Sequence, residues 1–392
     1  MLDNSILTHI LNHWSYWDKR PPRTILRRLL TEQGPPLSPD LVLVIQGVRR
    51  CGKSTLLGQI MEQKRLEPAQ CAFINFEDPR LSEDLDYKLL DRIVEMVKEK
   101  QEANRPYYFF LDEIQEVKNW QKWFHMKLER PGRDVFVITG SNATLLSGEL
   151  ATTLTGRHRT LEMFPFDFKE YKTVKPQNSL ENFLDEGGFP RALLDSKPQE
   201  LLREYFTDII ERDVRRHVSV RNSAALTRLV KAVFEACGSE ISQRSLAGML
   251  GVTTDTAGVY LSACEKAYLI LPCPYFTFSE RQRTARNRKF YPVDLGLRNA
   301  IATRTGFDKG KKLETAVFHH LRKNQREVFY WRQKGEVDLV VHDSGEIVPY
   351  QVSWEEMQER HKRALEEFYE AFPRARPAVF ISRKNAEEFL LG

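Results

Sequence analysis

Apolar positions along the chain fall into two regimes. From Leu41 the sequence reads Leu41-Val42-Leu43-Val44-Ile45, an unbroken apolar run. Such a run marks a strand buried on both faces of a parallel sheet. Similar runs recur at 71–76, 107–111 and 135–139, with helical patterns at 55–63, 85–98 and 120–128 between them. Strands alternating with helices predict a parallel sheet covered on both faces. After Gly156 the alternation stops. Residues 179–270 read as mostly helical, with breaks at Gly187-Gly188, Gly238 and Gly251, and 271–292 turn extended, basic and aromatic. From Leu313 a helix precedes strands at 328–332, 337–342 and 347–353, a charged helix at 355–372 and a strand at 378–381. Ahead of the first strand, 1–40 predict two helices broken at Pro21-Pro22 and ended by Gly34-Pro35-Pro36.

Composition changes this picture little. The 392 residues are 41% hydrophobic and 29% charged, as in an ordinary soluble protein with room for several domains. Five scattered cysteines lie at no metal-ligand spacing, which fits free thiols in a reducing compartment. The opening residues lack a charged stretch followed by an apolar core, and no run approaches bilayer length. A cytoplasmic protein without membrane contact is therefore expected. The net charge of +5 is mild, so where it sits matters more than its size.

The loop after the first strand carries the clearest chemistry. Gly47-Val48-Arg49-Arg50-Cys51-Gly52-Lys53-Ser54 fits G-x-x-x-x-G-K-S, the P-loop, with a strand leading in and a helix, opened by Thr55, leading out. Its glycines let backbone N–H groups turn inward toward phosphate oxygens, and the helix adds its N-terminal dipole. Lys53 then serves the β- and γ-phosphates and Ser54 offers a hydroxyl to magnesium. Tyr107-Tyr108-Phe109-Phe110-Leu111-Asp112-Glu113 is the expected partner: a buried strand ends in Asp112, a magnesium-holding acid, and Glu113 is placed to take a proton from the attacking water. A plain strand-end cap is the alternative. Ser141 and Asn142 end a further strand, where they would contact a γ-phosphate or form an ordinary polar turn. Arg157 is a candidate arginine finger, in cis or from a neighbouring subunit, against the reading of a surface arginine. Arg191, after Gly187-Gly188-Phe189-Pro190, is a candidate nucleotide-sensing residue or part of a simple helix start.

The stretches GVRRCGKSTLL, FFLDEIQ, ITGSNA, GRH leading to FPFDFKEY, and GGFP together resemble the AAA-type ATPases of the prokaryotic and archaeal family with a C-terminal domain of unknown function. The resemblance covers nearly the whole chain. It implies an ASCE-type sheet with an extra strand between the P-loop strand and the Asp112 strand, and a small helical lid after about residue 165. It also implies ATP and Mg2+ as ligands. Its assignments fall directly on Lys53, Ser54, Asp112 and Glu113, and by position on Ser141, Arg157 and Arg191.

Two further segments carry signals. Residues 241–252 read as a helix ended at Gly251, and 253–261 as a second helix opened by capping threonines, a helix-turn-helix pattern. Extended stretches at 269–274 and 290–293 would be wing strands, with Arg281, Arg283, Arg286, Arg288 and Lys289 at the wing tip. That basic cluster suits DNA phosphates, and Thr254 would face a groove. A lid or protein-docking module is the alternative. Residues 313–382 resemble a PD-(D/E)xK nuclease core, with Glu314, Glu336 and Asp338 as its acids. Asp338 stands at that core's metal-binding position. The acid-x-Lys motif is replaced by Gln351-Val352-Ser353, which implies lost nuclease chemistry.

The expected architecture is an α/β chain of four parts: a P-loop ATPase domain (1–163), a helical lid (164–222), a winged helix (223–305) and a nuclease-like domain (306–392). The expected activity is Mg-dependent ATP hydrolysis coupled to work on duplex or branched DNA, in a homo-oligomer such as a hexameric ring. An ATP-controlled signalling or transcription switch that docks a protein or a specific DNA site is the alternative.

Overall fold

The structure, a computed structural model, describes residues 3–17, 19, 21, 36–81, 85–99, 105–141, 156–218, 223–303, 308–324 and 327–392. The expected second N-terminal helix and Asn142 lie outside them. The chain divides into two compact units, residues 1–47 with 52–163, and residues 48–51 with 164–392.

The first unit is built on a five-stranded sheet. Its strands are β1 (Val42–Gly47), β2 (Cys71–Asn75), β3 (Tyr108–Asp112), β4 (Val135–Gly140) and β5 (His158–Met163), in spatial order β2-β3-β4-β1-β5. Every pairing is parallel. The apolar runs explain the centre, since β1 and β4 are buried along their whole length. β4 sits between β1 and β3, the interposed strand that the resemblance implies. Helices Lys53–Gln63, Tyr87–Glu99 and Trp120–Glu129 connect the strands. The Tyr87–Glu99 helix inserts Leu89, Leu90, Ile93, Val94 and Val97 into a core shared with Phe109, Trp123 and Phe136. Placing five such side chains under one helix stabilises by about 1.5–3 kcal/mol each. The sequence pattern misses β5. As an edge strand, His158-Arg159-Thr160-Leu161-Glu162-Met163 is mostly half-exposed and carries no apolar run.

The second unit starts with helices Phe168–Val174 and Leu180–Glu186, each opened by a capping box, from Asp167 with Glu170 and from Ser179 with Asn182. The Gly187-Gly188 break is sterically compelled. A Cβ on Gly188 would stand 2.0 Å from the Phe166 carbonyl oxygen, and Gly187 has φ +74°. The Gly188 N–H donates to Asp294, a buried carboxyl that burial pushes up to about 6 against the backbone N–H groups it accepts from. Gly188→Ala is therefore expected to destabilise this unit by about 3 kcal/mol or more, read as a lower midpoint in urea.

Helix Pro198–Asp208 runs on into a π-helical stretch, Ile209–Val214. Helix Ser223–Glu235, β6 (Glu240–Ile241), helices Gln243–Leu250 and Thr254–Lys266, β7 (Ile270–Cys273) and β8 (Arg288–Pro292) follow. The strands form an antiparallel sheet β6-β8-β7. Ser242 caps one helix, Gly251 closes it at φ 66°, and Thr253 caps the next, as the sequence suggests. Helices Leu295–Ile301 and Lys309–Lys323 then lead to β9 (Glu327–Arg332), β10 (Glu336–Asp343) and β11 (Glu346–Val352). Helix Glu359–Ala371, β12 (Val379–Ile381) and helix Ala386–Leu391 end the chain, and the sheet order is β12-β11-β10-β9.

The parts expected as separate domains from 164 onward form one unit. The Phe276 and Tyr330 amides each donate across to the other segment's backbone, and Phe276 packs on Phe329 and Phe372.

Candidate nucleotide site and its surroundings

In the first unit the site grows from the carboxyl ends of β1, β3 and β4, where an open α/β sheet presents its ligand crevice. Gly47 ends β1 so close to β5 that a Cβ would stand 1.9 Å from the Met163 carbonyl oxygen. Gly52 sits at φ 101° and opens the Lys53–Gln63 helix. Lys53 is 4% exposed, and its Nζ donates to the Gly47 carbonyl at 3.1 Å and lies 3.6 Å from Glu113 Oε1. Ser54 and Thr139 both hydrogen-bond Asp112, and Asn75 Nδ2 donates to it at 3.2 Å. Burial, with Glu113 adjacent, pushes the Asp112 carboxyl up to about 6.

Glu113 is held more tightly than a strand-end cap requires. Its backbone is left-handed, φ 55°, a conformation that costs a non-glycine residue about 1 kcal/mol or more. Its N–H donates to Thr139 Oγ1 at 3.0 Å, and its Oε2 accepts from Gln115 Nε2 at 2.6 Å and from the Ser141 N–H at 3.1 Å. Ser141 thus joins the site, at least in part, through its backbone. Asn75, Gln115 and Thr139 escaped the sequence reading. Asn75 pairs in register with Asp112 across the β2–β3 ladder, and Thr139 is the last but one residue of β4. Polar residues closing apolar strands were the available signal.

The rest of the P-loop, Val48–Cys51, groups with the second unit. Val48 and Cys51 are fully buried. Arg49 is buried and makes a two-pronged pair with Asp213 in the π-helical stretch, Nε at 2.8 Å and Nη2 at 3.1 Å. Arg50, at φ 71°, reaches Asp208 at 3.1 Å and lies over the Tyr205 ring. Exposed Arg191 acts on the same tyrosine electrostatically. The Arg49 and Arg50 side chains are thus engaged by carboxylates of these helices. Arg50 and Gly52 both adopt left-handed backbone, as a tightly curled loop requires.

Two expectations need correction. Arg157 does not approach the P-loop of its own chain. It precedes β5 at the end where Val42 begins β1, and it donates to the Leu128 carbonyl at 2.8 Å. Six residues of parallel strand separate it from the Gly47 end, roughly 20 Å. The basic wing cluster is largely engaged as well. Its tip is a short helix, Glu280–Ala285. Arg283 pairs with Glu280 and donates to the Thr277 carbonyl, and Arg288 is bidentate to Glu265 at 2.9 and 2.8 Å. Lys289 is 0% exposed and cannot meet a phosphate. Arg281 and Arg286 stay exposed, Arg286 over the Tyr275 ring, and Thr254 is exposed at its helix start.

Lys289 instead enters the acidic group of the C-terminal sheet. Its Nζ lies 2.6 Å from Glu336 Oε1 and 3.3 Å from Glu314 Oε1, and Tyr291 donates to Glu314 at 2.6 Å. Burial alone would lower the Lys289 pKa, but Glu314, Glu336 and Asp338 outweigh it and hold the ammonium charged. Asp338 accepts from Gln351 Nε2 and from the Val352 N–H, and burial next to Glu314 pushes it up to about 8.

The first unit therefore has the geometry of a P-loop nucleotide-binding domain of the AAA class, and residues 39–172 match the family described as "AAA domain". Residues 177–308 and 309–390 match two domains of unknown function, DUF8612 and DUF4143. The chain belongs to the same family as the uncharacterized protein MJ1544 of Methanocaldococcus jannaschii. The two are 32% identical over 364 residues, 86% of this chain and 79% of that protein. It is also similar to an uncharacterized protein of Haemophilus influenzae, 28% identical over 342 residues, 82% of this chain and 85% of that one. Among solved structures, AMPPCP-bound DnaA from Aquifex aeolicus shares 13% identity at a TM-score of 0.30, over 60% of this chain and 84% of that one. A likeness that remote carries no argument about function. No helix among the described residues is long and apolar enough to cross a membrane.

Ser54 and Asp112 fit magnesium. They are adjacent oxygen donors, one neutral and one acidic, of the kind the ion takes beside substrate phosphates. Because the Asp112 carboxyl must lose its proton to bind metal, magnesium affinity is expected to weaken as pH falls through about 6 and to level off above pH 7. Calorimetric titration of Mg2+ with nucleotide at pH 5.5, 6.5 and 7.5 tests this.

Proposed function

We propose that the chain hydrolyses ATP with magnesium and couples hydrolysis to DNA. The observation that carries the reading is the grouping of Lys53, Asp112 and Glu113, with Ser54 hydrogen-bonded to Asp112 and Glu113 fixed by Thr139, Gln115 and Ser141. When bound, magnesium would neutralise charge on the phosphate oxygens. Lys53 would leave the Gly47 carbonyl for those oxygens. Glu113, aimed by its donors, would take a proton from the attacking water. Arg157 is too far from the P-loop to act in its own chain, so any role as a finger lies in a neighbouring subunit of an oligomeric ring. Arg191, which acts electrostatically on the tyrosine that Arg50 covers, would serve as the nucleotide-sensing residue.

The DNA half of the proposal draws support from the order helix–strand–helix–helix–strand–strand across 223–292, which is that of a winged helix-turn-helix with Thr254 exposed at its second helix. The helix–three-strand–helix–strand order of 309–381 suits a nuclease-like core in the same way. ATPase rate measured alone and with linear duplex, single-stranded and four-way DNA tests the coupling. Stimulation supports it, and a rate indifferent to all three refutes it.

A second reading, an ATP-controlled switch docking a protein, gains from exposed Met249 and Val259, 54% and 49% accessible, on the two helices of the turn. It expects slow turnover, no effect of DNA, and retention of a partner only with nucleotide bound.

A further inference from the structure

The second unit holds a cleft of about 1030 Å³, lined by the start of the Lys309–Lys323 helix, β10, the end of β11 and the segment leading to the Glu359–Ala371 helix. Four carboxylates lie in its wall, Glu314, Glu336 and Asp338 on the floor and Glu355 at the rim. By count of side chains the floor is acidic, and its charge is partly met from within. Lys289 pairs with Glu314 and Glu336, and Asp338 is capped by Gln351 and the Val352 N–H. What faces outward is mainly basic, because Lys309, Lys334 and Arg360 line the same cleft and are exposed, against one exposed carboxylate, Glu355. Lys309 also lies over the Trp354 ring at 5.1 Å, and Arg383 lies over that ring at 5.6 Å.

One atom on the floor is unexplained. Gln351 is 2% exposed and its amide nitrogen is committed to Asp338, but its Oε1 is buried with no hydrogen-bond partner. A buried amide oxygen left unpaired costs about 1–3 kcal/mol. Fully apolar packing would have been cheaper, and an acceptor kept at the floor of a polar cleft suits a donor brought by a ligand.

We propose that this cleft binds an unpaired nucleic-acid strand without cutting it. Lys309, Lys334 and Arg360 contact its phosphates, and Gln351 Oε1 accepts from a base amino group. Phosphates meet the outer cations by charge, and an unpaired base alone can present its amino edge to a recessed acceptor. The inference rests on the reading that the chain acts on DNA, and it assigns the contact to this cleft in place of the wing, whose cations are largely paired.

The test is fluorescence anisotropy of a labelled 20-nucleotide single strand with the full chain, repeated across salt. Lys309→Glu with Lys334→Glu changes only exposed side chains, so folding is retained. It is expected to weaken binding at least tenfold and to flatten the salt dependence by about 1.4 in log–log slope, two phosphate contacts' worth. Gln351→Leu is expected to weaken binding about threefold or more while leaving the salt slope unchanged. Arg281→Glu with Arg286→Glu in the wing serves as the comparison. If the wing variant loses the strand and the cleft variants do not, the cleft assignment is overturned and the DNA reading stands. If the unaltered chain binds no strand at low salt, both fall. Competition by polyglutamate as effective as by unlabelled oligonucleotide also overturns the proposal, since the site would then be a generic anion surface.

Discussion

Glu113→Gln should retain Mg·ATP and lower turnover by about 10²–10⁴-fold, the usual contribution of a positioned general base. The substitution keeps shape and leaves an oxygen for the Gln115 and Ser141 donors, but it removes the basicity needed to take a proton from water. It also removes the negative charge that helps keep the Asp112 carboxyl protonated. The Asp112 pKa should then fall, and magnesium affinity near pH 6 should rise relative to the unaltered chain. Lys53→Ala separates binding from chemistry, because it deletes the ammonium beside Gly47 and should lose nucleotide altogether. Fluorescent-nucleotide titration beside phosphate release measures both. A Glu113→Gln protein that turns over at the normal rate would remove Glu113 from the chemistry and return it to the role of a strand-end cap.

Lys289→Met should strongly destabilise the second unit. Methionine fills the volume and brings no charge, leaving Glu314 buried and Glu336 about one-third exposed without their shared cation. Removing one partner of a buried ion pair costs about 3–5 kcal/mol, and the partial exposure of Glu336 places this case near 3. For a unit of this size that lowers Tm by roughly 6–12 °C. Neutralising the partners in the same chain, with Glu314→Gln and Glu336→Gln, should restore most of the loss. Scanning calorimetry of the single and triple variants decides. A Lys289→Met chain that melts with the original would show that the lysine is not the pin of the C-terminal sheet, and that apolar packing and the backbone bonds between Phe276 and Tyr330 hold wing and sheet.

The nucleotide site was legible because its grammar is local. Gly47, Gly52, Lys53 and Ser54 lie within eight residues, and their spacing alone dictates a loop curling ahead of a helix. The strands β1 to β4 were legible for a related reason, since burial on both faces writes itself as an apolar run. β5 was not, because half of its surface meets water and its sequence has no reason to look apolar. Asn75 and Thr139 were silent individually. They acquire a role only where the β2–β3 register sets Asn75 across from Asp112 and where the end of β4 brings Thr139 to the same carboxylate.

The wing cations show the opposite error. Sequence gives the sign of a charge but not its partner. Arg288 finds Glu265, 23 residues away, and Lys289 finds Glu314 and Glu336 at separations of 25 and 47. A basic stretch that reads as a surface for phosphates thus becomes, in good part, an internal staple. The place of Arg157 was hidden for the same reason, because only the parallel pairing of β1 with β5 reveals which end of the sheet it occupies and so speaks against its acting in its own chain.

By itself, then, the order of residues made legible the P-loop sequence, the acid pair at the end of β3, the central strands and the helix caps around Gly251. All of these depend on neighbours within a turn or a strand, where covalent geometry limits the choices. The three-dimensional packing decided the edge strand, the hold on Glu113, the burial of Lys289 and the cleft above Gln351. Each of those is an electrostatic or hydrogen-bonding balance between groups far apart in the chain, and such balances exist only once folding has excluded water from between them.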